Sequence, residues 1–522
     1  MKKRETGNGM HLLRQGKSGV LRVVFSRLGI ISVLFLLQAA ILILTIVRLE
    51  EYMHFYLGGT AVITVIVVLF LLNSNMDPSA KITWLVMIML MPVMNALLFL
   101  YTKSELGNRT LRKRASKLFG ETDDRLQQFA PLEQRAIEYN EPIAGYLKNT
   151  CGFIPYNDSE ITYYSGGEEK FEALKEAILS AEKYIFLEYF IIGEGEMWGN
   201  ILNILSNKAK DGVEVRVMYD GTCQFTTLTA DYAKRMKKLG IECRAFSPLT
   251  PFVSTYYNYR DHRKIAVIDG KTAFTGGVNL SDEYINIGSR FGHWKDAAVR
   301  IRGNAVNSFT LMFLQMWELE ASMKPDYAKY LCRVDAEYEG CGIVIPYGDS
   351  PLDSNKTGER VYMDMLNRAR EHVYIMTPYL ILDSTMETAL RFAAERGVDV
   401  RIILPGIPDK KSAYALAKTH YKSLLSSGVK IYEYTPGFVH SKVVLADGHE
   451  AAVGTINLDY RSFYHHFECA AYMKGGKAID TIRADFEDTF EKCRRVTEET
   501  VKKEKASVKL YGFLLKVIAP LM

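Results

Sequence analysis

Two regimes of hydrophobic patterning divide the chain. Leu28–Val47 is twenty residues without a charge, and Phe55–Leu72 and Ile82–Leu100 are two further apolar stretches of similar length. A helix rising 1.5 Å per residue crosses a ~30 Å hydrocarbon core in about twenty residues. The pattern therefore predicts three membrane spans, at about 28–47, 55–72 and 82–100. A cleaved signal peptide is the competing reading of the first stretch. Its apolar part would be shorter, and Val47-Arg48-Leu49-Glu50 lacks a small-residue cleavage pattern. The third stretch contains Pro92 and Asn95, which a neighbouring helix could accommodate, and Trp84 and Tyr101 lie near its ends where amphipathic rings favour the interface.

From about Cys151 the pattern changes to short β-rich runs alternating with helical ones. Phe171, Leu174 and Ile178 keep helical spacing, and Tyr184–Ile192 reads as a buried strand. Trp198–Ala209 is helical and Val213–Tyr219 is again a strand. The same order returns later, with Val361–Arg370 helical, Val373–Met376 a strand, Thr385–Glu395 helical and Val398–Leu404 a strand. This alternation predicts an α/β fold whose sheets carry helices on their faces, and its recurrence points to an internal duplication.

Composition changes the picture only locally. Over 522 residues, 65 Lys and Arg against 60 Asp and Glu leave a net charge of +5, which gives no reason to expect a nucleic-acid partner. Hydrophobic residues at 48% and charged residues at 24% exclude a disordered chain. The basic residues are concentrated at the two ends of the apolar region. Lys2, Lys3, Arg4, Arg14, Lys17, Arg22 and Arg27 precede it, and Lys103, Arg109, Arg112, Lys113, Arg114 and Lys117 follow it. Basic flanks mark the cytoplasmic side, and three full crossings cannot satisfy both clusters. The second cluster is joined directly to the α/β region, so residues 104–522 are expected in the cytoplasm. The seven cysteines (151, 223, 243, 332, 341, 469 and 493) have no C-x-x-C spacing, which argues against a disulfide framework or a zinc site.

The sharpest repeat carries chemistry. His262-Arg263-Lys264-Ile265-Ala266-Val267-Ile268-Asp269-Gly270 matches His440-Ser441-Lys442-Val443-Val444-Leu445-Ala446-Asp447-Gly448, and Gly276, Asn279 and Leu280 match Gly454, Asn457 and Leu458. Every pair is 178 positions apart. On a strand, His and Lys two apart share a face, and Asp-Gly signals a hairpin turn. A turn centred on Asp269-Gly270 pairs residues whose numbers sum to 539 (895 in the second copy), which makes Asn279 and Asn457 diagonal neighbours of the histidines. Two facing patches would thus supply two imidazoles, two ammonium groups and two carboxamides. That set suits a phosphodiester, with cations and amide donors on the non-bridging oxygens and imidazoles for covalent and proton-transfer steps. A metal site fits less well, because Lys is a poor ligand and no further carboxylate or Cys recurs with the pattern. From spacing alone, Asp269 and Asp447 are turn residues or site residues alike. His449, His465 and His466 occur once only and read as surface or supporting residues.

The paired H-x-K-x(4)-D-G motif with its trailing G-x-x-N resembles the phospholipase D superfamily, over essentially all of residues 151–495. Finer features are similar to its bacterial cardiolipin synthase branch. These are Tyr259-Arg260-Asp261-His262-Arg263-Lys264, Gly276-Gly277-Val278-Asn279, Asp282-Glu283-Tyr284, His293-Trp294-Lys295-Asp296, Gly428–Tyr434, Gly437-Phe438-Val439-His440 and Arg461-Ser462. Asp261 and Lys295 depart from residues frequent in that branch (Asn and Arg), outside the paired motif. The resemblance implies a duplicated phospholipase D-type unit, two β-sheets flanked by helices and related by a pseudo-two-fold axis, behind the N-terminal membrane region. The expected divisions are residues 1–103 for the membrane region, 104–150 for a basic linker, 151–335 and 336–497 for the two halves, and 498–522 for a C-terminal tail. It also implies a phosphatidyltransferase that moves a phosphatidyl group from one phosphatidylglycerol to another, releasing glycerol through a phosphohistidine. His262 would be the nucleophile, His440 the acid and base, and Lys264, Lys442, Asn279 and Asn457 the phosphate ligands. Asp269 and Asp447 would orient the His/Lys set. No metal or organic cofactor is needed, because the histidine pair supplies both nucleophile and proton relay. Phosphatidylglycerol and anionic membrane lipid are the expected partners, and no obligate protein partner is readable. Val508–Ile518 mixes Lys with large apolar residues and reads as an interfacial segment, or else as a helix on the enzyme's own core. A phospholipase D using water, a transferase with a different acceptor, and a non-catalytic membrane scaffold are the rival functions.

Overall fold

The computed structural model describes residues 40, 53–74, 76–103, 106–248, 259–288, 290–320, 324–335, 338 and 342–521. Its α/β part is a duplication in which every strand of the first sheet has a counterpart in the second. The first half contributes β1 (Ser159–Tyr164), β2 (Tyr184–Tyr189), β3 (Glu214–Asp220), β4 (Glu242–Phe246), β5 (Arg260–Asp261), β6 (Lys264–Ile268), β7 (Thr272–Gly276), β8 (His293–Lys295) and β9 (Ala298–Gly303). The second contributes β10 (Ile343–Asp349), β11 (His372–Met376), β12 (Leu380–Ile381), β13 (Asp399–Pro405), β14 (Lys430–Tyr434), β15 (Gly437–Val439), β16 (Val443–Ala446), β17 (Glu450–Gly454), β18 (Leu458–Asp459), β19 (His466–Lys474) and β20 (Cys493–Arg495). The first sheet runs β1-β9-β7-β6-β2-β3-β4, and the second repeats that order as β10-β19-β17-β16-β11-β13-β14 with β20 added at the edge.

Local sequence explains the central strands. All six residues of β2 are buried, as expected of a strand covered on both faces. The crossover from β2 to β3 is the helix Glu196–Lys210, which buries Met197, Trp198, Ile201, Leu202 and Leu205 along one stripe. The helix Val306–Glu320 differs, with 13 of its 15 residues buried. It touches β2 and β6 of the first sheet and β10 of the second, so it is enclosed by both halves. The stretch expected as a linker is helical, in Leu106–Thr122, Gln134–Asn140 and Pro142–Cys151. Six of the seven cysteines are described, and all six are free thiols; Cys341 lies outside the described residues.

The three-span expectation needs correction. The first predicted span, 28–47, lies outside the described residues except for residue 40. The second falls on the helix Met53–Asn73. The third is divided into Pro78–Leu90 and Pro92–Lys103, because Pro92 lacks the N–H that would continue the ladder. Among the described residues no helix is long and apolar enough to cross a membrane, so a multi-pass arrangement is not supported. These helices pack Val67, Leu71, Trp84, Ile88, Ala96 and Phe99 into a small core of their own. They leave other large apolar side chains in the open, Met89 and Leu90 at 74% and 75% exposure among them.

The hairpin register is also one residue off the sequence expectation. Ala266 pairs with Phe274 and Ile268 with Thr272, sums of 540, and Val443 pairs with Val453, a sum of 896. Each turn has three residues, with Asp269 and Gly270, like Asp447 and Gly448, in the left-handed region that such a loop requires.

Candidate active site

The two His/Lys motifs reach one place because the halves exchange strands. β5 leads into His262 and runs parallel to the start of β19, with His466 opposite Arg260 and Phe467 opposite Asp261. β15 leads into His440 and runs parallel to β8, with Gly437 opposite His293 and Val439 opposite Lys295. The His262 N–H then donates to the Phe467 carbonyl at 2.9 Å, and the His440 N–H to the Lys295 carbonyl at 2.7 Å. Each histidine is thus pinned to a strand of the opposite half, just before that strand's acidic residue.

Those acids complete the arrangement. His262 Nδ1 lies 2.9 Å from both carboxylate oxygens of Glu468, and His440 Nδ1 lies 2.7 Å from Asp296 Oδ2. Glu468 also accepts from the Thr455 hydroxyl, and Asp296 accepts from the Ala297 N–H. A carboxylate at Nδ1 holds the proton there and leaves the lone pair on Nε2, the ring atom free for chemistry. Both imidazoles and both acids are buried.

The lysines lie alongside. Lys264 Nζ donates to the His262 carbonyl at 2.6 Å, and Lys442 Nζ donates to the His440 carbonyl. The four charged groups form one field, since Asp296 and Glu468 both act on Lys264 and on Lys442. Burial lowers Lys264 to about 8 and Lys442 to about 7. Burial also holds His262 well below the usual imidazole range despite Glu468 beside it, and it takes His440 down to about 4 with help from the Lys442 charge. Burial alone would raise the two carboxyls, but the imidazoles beside them keep Glu468 and Asp296 below their ordinary values. The site therefore holds neutral imidazoles on ionised carboxylates, in a surrounding where an arriving phosphodiester anion would raise the proton affinity of both His and Lys.

The carboxamides occupy two different settings. Asn279 Oδ1 accepts from the Ile191 N–H at 3.0 Å and its Nδ2 donates to the Tyr284 hydroxyl at 2.7 Å. Asn457 Nδ2 donates to Asp459, and its Oδ1 is buried with no hydrogen-bond partner among the described residues. Asp269 and Asp447 are not gathered with the imidazoles. Asp269 accepts from the N–H groups of Glu182, Lys183 and Tyr184, and Asp447 from those of Arg370, Glu371 and His372. Each fastens its hairpin tip to the start of the neighbouring central strand. The orienting role expected of them is filled by Asp296 and Glu468.

The 178-residue comparison overlooks those acids because they recur at a different spacing. Asp296 and Glu468 are 172 apart and end matching H-x-x-[D/E] segments, His293–Asp296 and His465–Glu468. Each stands two residues before an alanine, Ala298 or Ala470, that pairs with Gly276 or Gly454 of the hairpin. That second offset is the signal that finds them. Among the described residues, one trio could hold a metal ion, His262, His466 and Glu468, with ligand atoms within 4.8 Å of one another.

The family described as cardiolipin synthase, phospholipase D-like domain, matches residues 174–317 and 362–490. An uncharacterised protein of Streptococcus mutans is 56% identical over 461 residues, covering 87% of this chain and 99% of that protein. A cardiolipin synthase of a Geobacillus species is 33% identical over 476 residues, covering 89% and 94%. A phosphatidylserine synthase from Haemophilus influenzae has a similar fold, with a TM-score of 0.54 at 15% identity over 69% of this chain and 93% of that one. With the family pattern spanning both motifs, and relatives matched along nearly their whole length, the chain belongs to the phospholipase D-like cardiolipin synthase family and is a phosphatidyltransferase.

Proposed function

We propose that the protein makes cardiolipin from two molecules of phosphatidylglycerol through a phosphatidyl-histidine. His262 Nε2 attacks the phosphorus of the first lipid. His440, whose proton affinity the bound phosphodiester raises, takes up a proton from solvent on Nε2 when the lipid binds; the bond to glycerol then breaks, and the glycerol oxygen takes that proton. The now neutral His440 removes the proton from a hydroxyl of the second phosphatidylglycerol. That oxygen displaces His262 from phosphorus and cardiolipin leaves, with His262 neutral and His440 protonated again, as they were when the first lipid had bound. Lys264 and Lys442 neutralise the non-bridging oxygens as charge builds on them, and Asn279 and Asn457 are the carboxamides nearest in role. The reading is carried by the strand exchange that gives each imidazole a carboxylate from the other half, so that two similar motifs make one site with two proton-holding rings.

A membrane surface is the natural workplace for a substrate with two acyl chains. The exposed apolar side chains of the three N-terminal helices support such a contact. So does the helix Ala506–Ile518, where Leu510, Phe513 and Leu514 are exposed beside Lys509 and Lys516.

Purified full-length enzyme in detergent or vesicles, given labelled phosphatidylglycerol and a chelator, should release glycerol and form cardiolipin. Phosphatidic acid as the main product would instead identify a hydrolase. Replacing His262 or His440 by Ala should each lower turnover by about 10⁴-fold, with the double variant little worse. Half the activity in either single variant would mean two separate sites.

A further inference from the structure

The third imidazole beside His262 has no role in this mechanism. His466 is 7% exposed, and neither of its ring nitrogens has a hydrogen-bond partner among the described residues. Burying such a group unpaired carries a cost of a few kcal/mol, so its surroundings are informative. Its ring centroid is 5.3 Å from that of His262 and 6.3 Å from that of Phe190. Its Nδ1 is 3.7 Å from Glu468 Oε1, and the same oxygen lies 2.9 Å from His262 Nδ1. The other oxygen, Glu468 Oε2, is the one the Thr455 hydroxyl holds.

We infer that His262, His466 and Glu468 form a binding site for a zinc-class divalent transition metal, and that occupation of this site switches the enzyme off. Bonds of about 2.0–2.2 Å in tetrahedral geometry set neighbouring ligand atoms about 3.3 Å apart. The separations of 2.9 and 3.7 Å bracket that value, and all three ligand atoms lie within 4.8 Å of one another. Two imidazoles and one carboxylate are a donor set for zinc, cobalt or nickel rather than magnesium or calcium. The carboxylate supplies one negative charge, while the Lys264 ammonium at the His262 carbonyl opposes the dication and weakens its binding. The first half holds no equivalent, because the position 172 residues before His466 is Trp294, whose ring packs 5.4 Å from that of His440.

Inhibition follows from the tautomer. The structure points a metal at His262 Nδ1, the atom that now faces Glu468. When Nδ1 coordinates, the ring's single proton resides on Nε2. The lone pair that would attack phosphorus is then gone, and Glu468 is withdrawn from its orienting role. The ring exchanges its Nδ1–H bond for an Nε2–H bond as the metal takes Nδ1, no other covalent bond of the protein changes, and removal of the metal restores the original tautomer. The metal site stands without the assigned reaction, whereas the loss of activity rests on His262 acting as the nucleophile.

Cobalt(II) titrated into the purified full-length enzyme tests both parts. One equivalent should bind per chain, give the visible d–d absorption of a four- or five-coordinate site, and be displaced by zinc. His466→Asn should weaken cobalt binding by 10- to 100-fold, while His449→Asn, at an exposed histidine, should leave it unchanged. Thermal melts of each variant without metal check that the fold persists. Zinc should abolish product formation from phosphatidylglycerol, and a chelator should restore it. Absence of stoichiometric cobalt binding to the unaltered enzyme, or unchanged binding in a folded His466→Asn variant, would overturn the site. Binding without inhibition would overturn the switch together with the reading of His262 as nucleophile, and would leave the metal site standing.

Discussion

His262 and His440 occupy the same point of the repeated backbone, yet their neighbours differ. His262 shares Glu468 with Thr455 and has His466 and Phe190 against its ring. His440 takes Asp296 Oδ2, while Asp296 Oδ1 accepts from the Ala297 N–H, and the ring lies among Trp294, Tyr284 and Phe438. At the positions equivalent to Trp294 and Gly277, the second half carries His466 and Thr455. The duplicated skeleton thus preserved the imidazole, the ammonium and the hairpin while its surroundings diverged, polar on one side and aromatic on the other. Such divergence suits two different tasks. In the proposed mechanism the ring with a short bond to one acid in an aromatic wall would pass a proton back and forth, and the ring on a shared carboxylate would keep a fixed tautomer for attack.

The comparison can be broken most directly at the two acids. Glu468→Gln and Asp296→Asn retain shape and remove charge, and each should lower turnover by about 10²- to 10⁴-fold. If the tasks are divided as proposed, phosphatidyl-enzyme trapped by acid quench should be depleted in Glu468→Gln. In Asp296→Asn, where slow transfer to the acceptor dominates, it should remain detectable. Equal trapping in both variants would mean that the two histidines are interchangeable.

A smaller effect should appear in the pH dependence. Lys442 is lowered to about 7 and Lys264 to about 8. Their positive charge is present below those values and lost as the pH rises through them, so kcat/KM should fall on the alkaline side from about pH 7 upward. Lys442→Arg keeps its charge throughout that range and should shift the decline upward, towards the value for Lys264. An alkaline limb unchanged in Lys442→Arg would show that the lysine does not govern it.

The smallest effect on catalysis is expected at the motif aspartates. Asp269→Ala removes the acceptor for three backbone N–H groups, and each hydrogen bond to a charged group is worth about 1.5–3 kcal/mol at most. Denaturation should show a loss of a few kcal/mol, while turnover per folded molecule changes by less than about threefold. Asp447→Ala should cost less, because Asp447 is more exposed to water than Asp269. A large loss of turnover with unchanged stability would return these residues to the site.

The duplication was legible because backbone constraints and chemistry repeat together. A central strand covered on both faces reads as an apolar run, and Tyr184–Tyr189 does so apart from Glu188. His262, Lys264 and Asn279 are visible because their partners stand at one offset. The orienting acids were harder to see, since Asp296 and Glu468 reach the histidines by strand exchange and the connections before them differ in length by six residues, 178 against 172. The turn register failed by one residue because Asp-Gly is compatible with both two- and three-residue loops. Only the pairing of Ile268 with Thr272 decides between them. Apolar length likewise overstated the third predicted span, where Pro92 interrupts a run that hydropathy reads as continuous.

The crossed pairing of β5 with β19 and β15 with β8 has a consequence for the chain's birth on the ribosome. A nascent chain that has emerged only as far as residue 335 contains His262 and Lys264 but neither β19 nor Glu468. His262 therefore lacks the acid that sets its proton. The pairing of His262 with Glu468 can form only after β19 of the second half has left the exit tunnel.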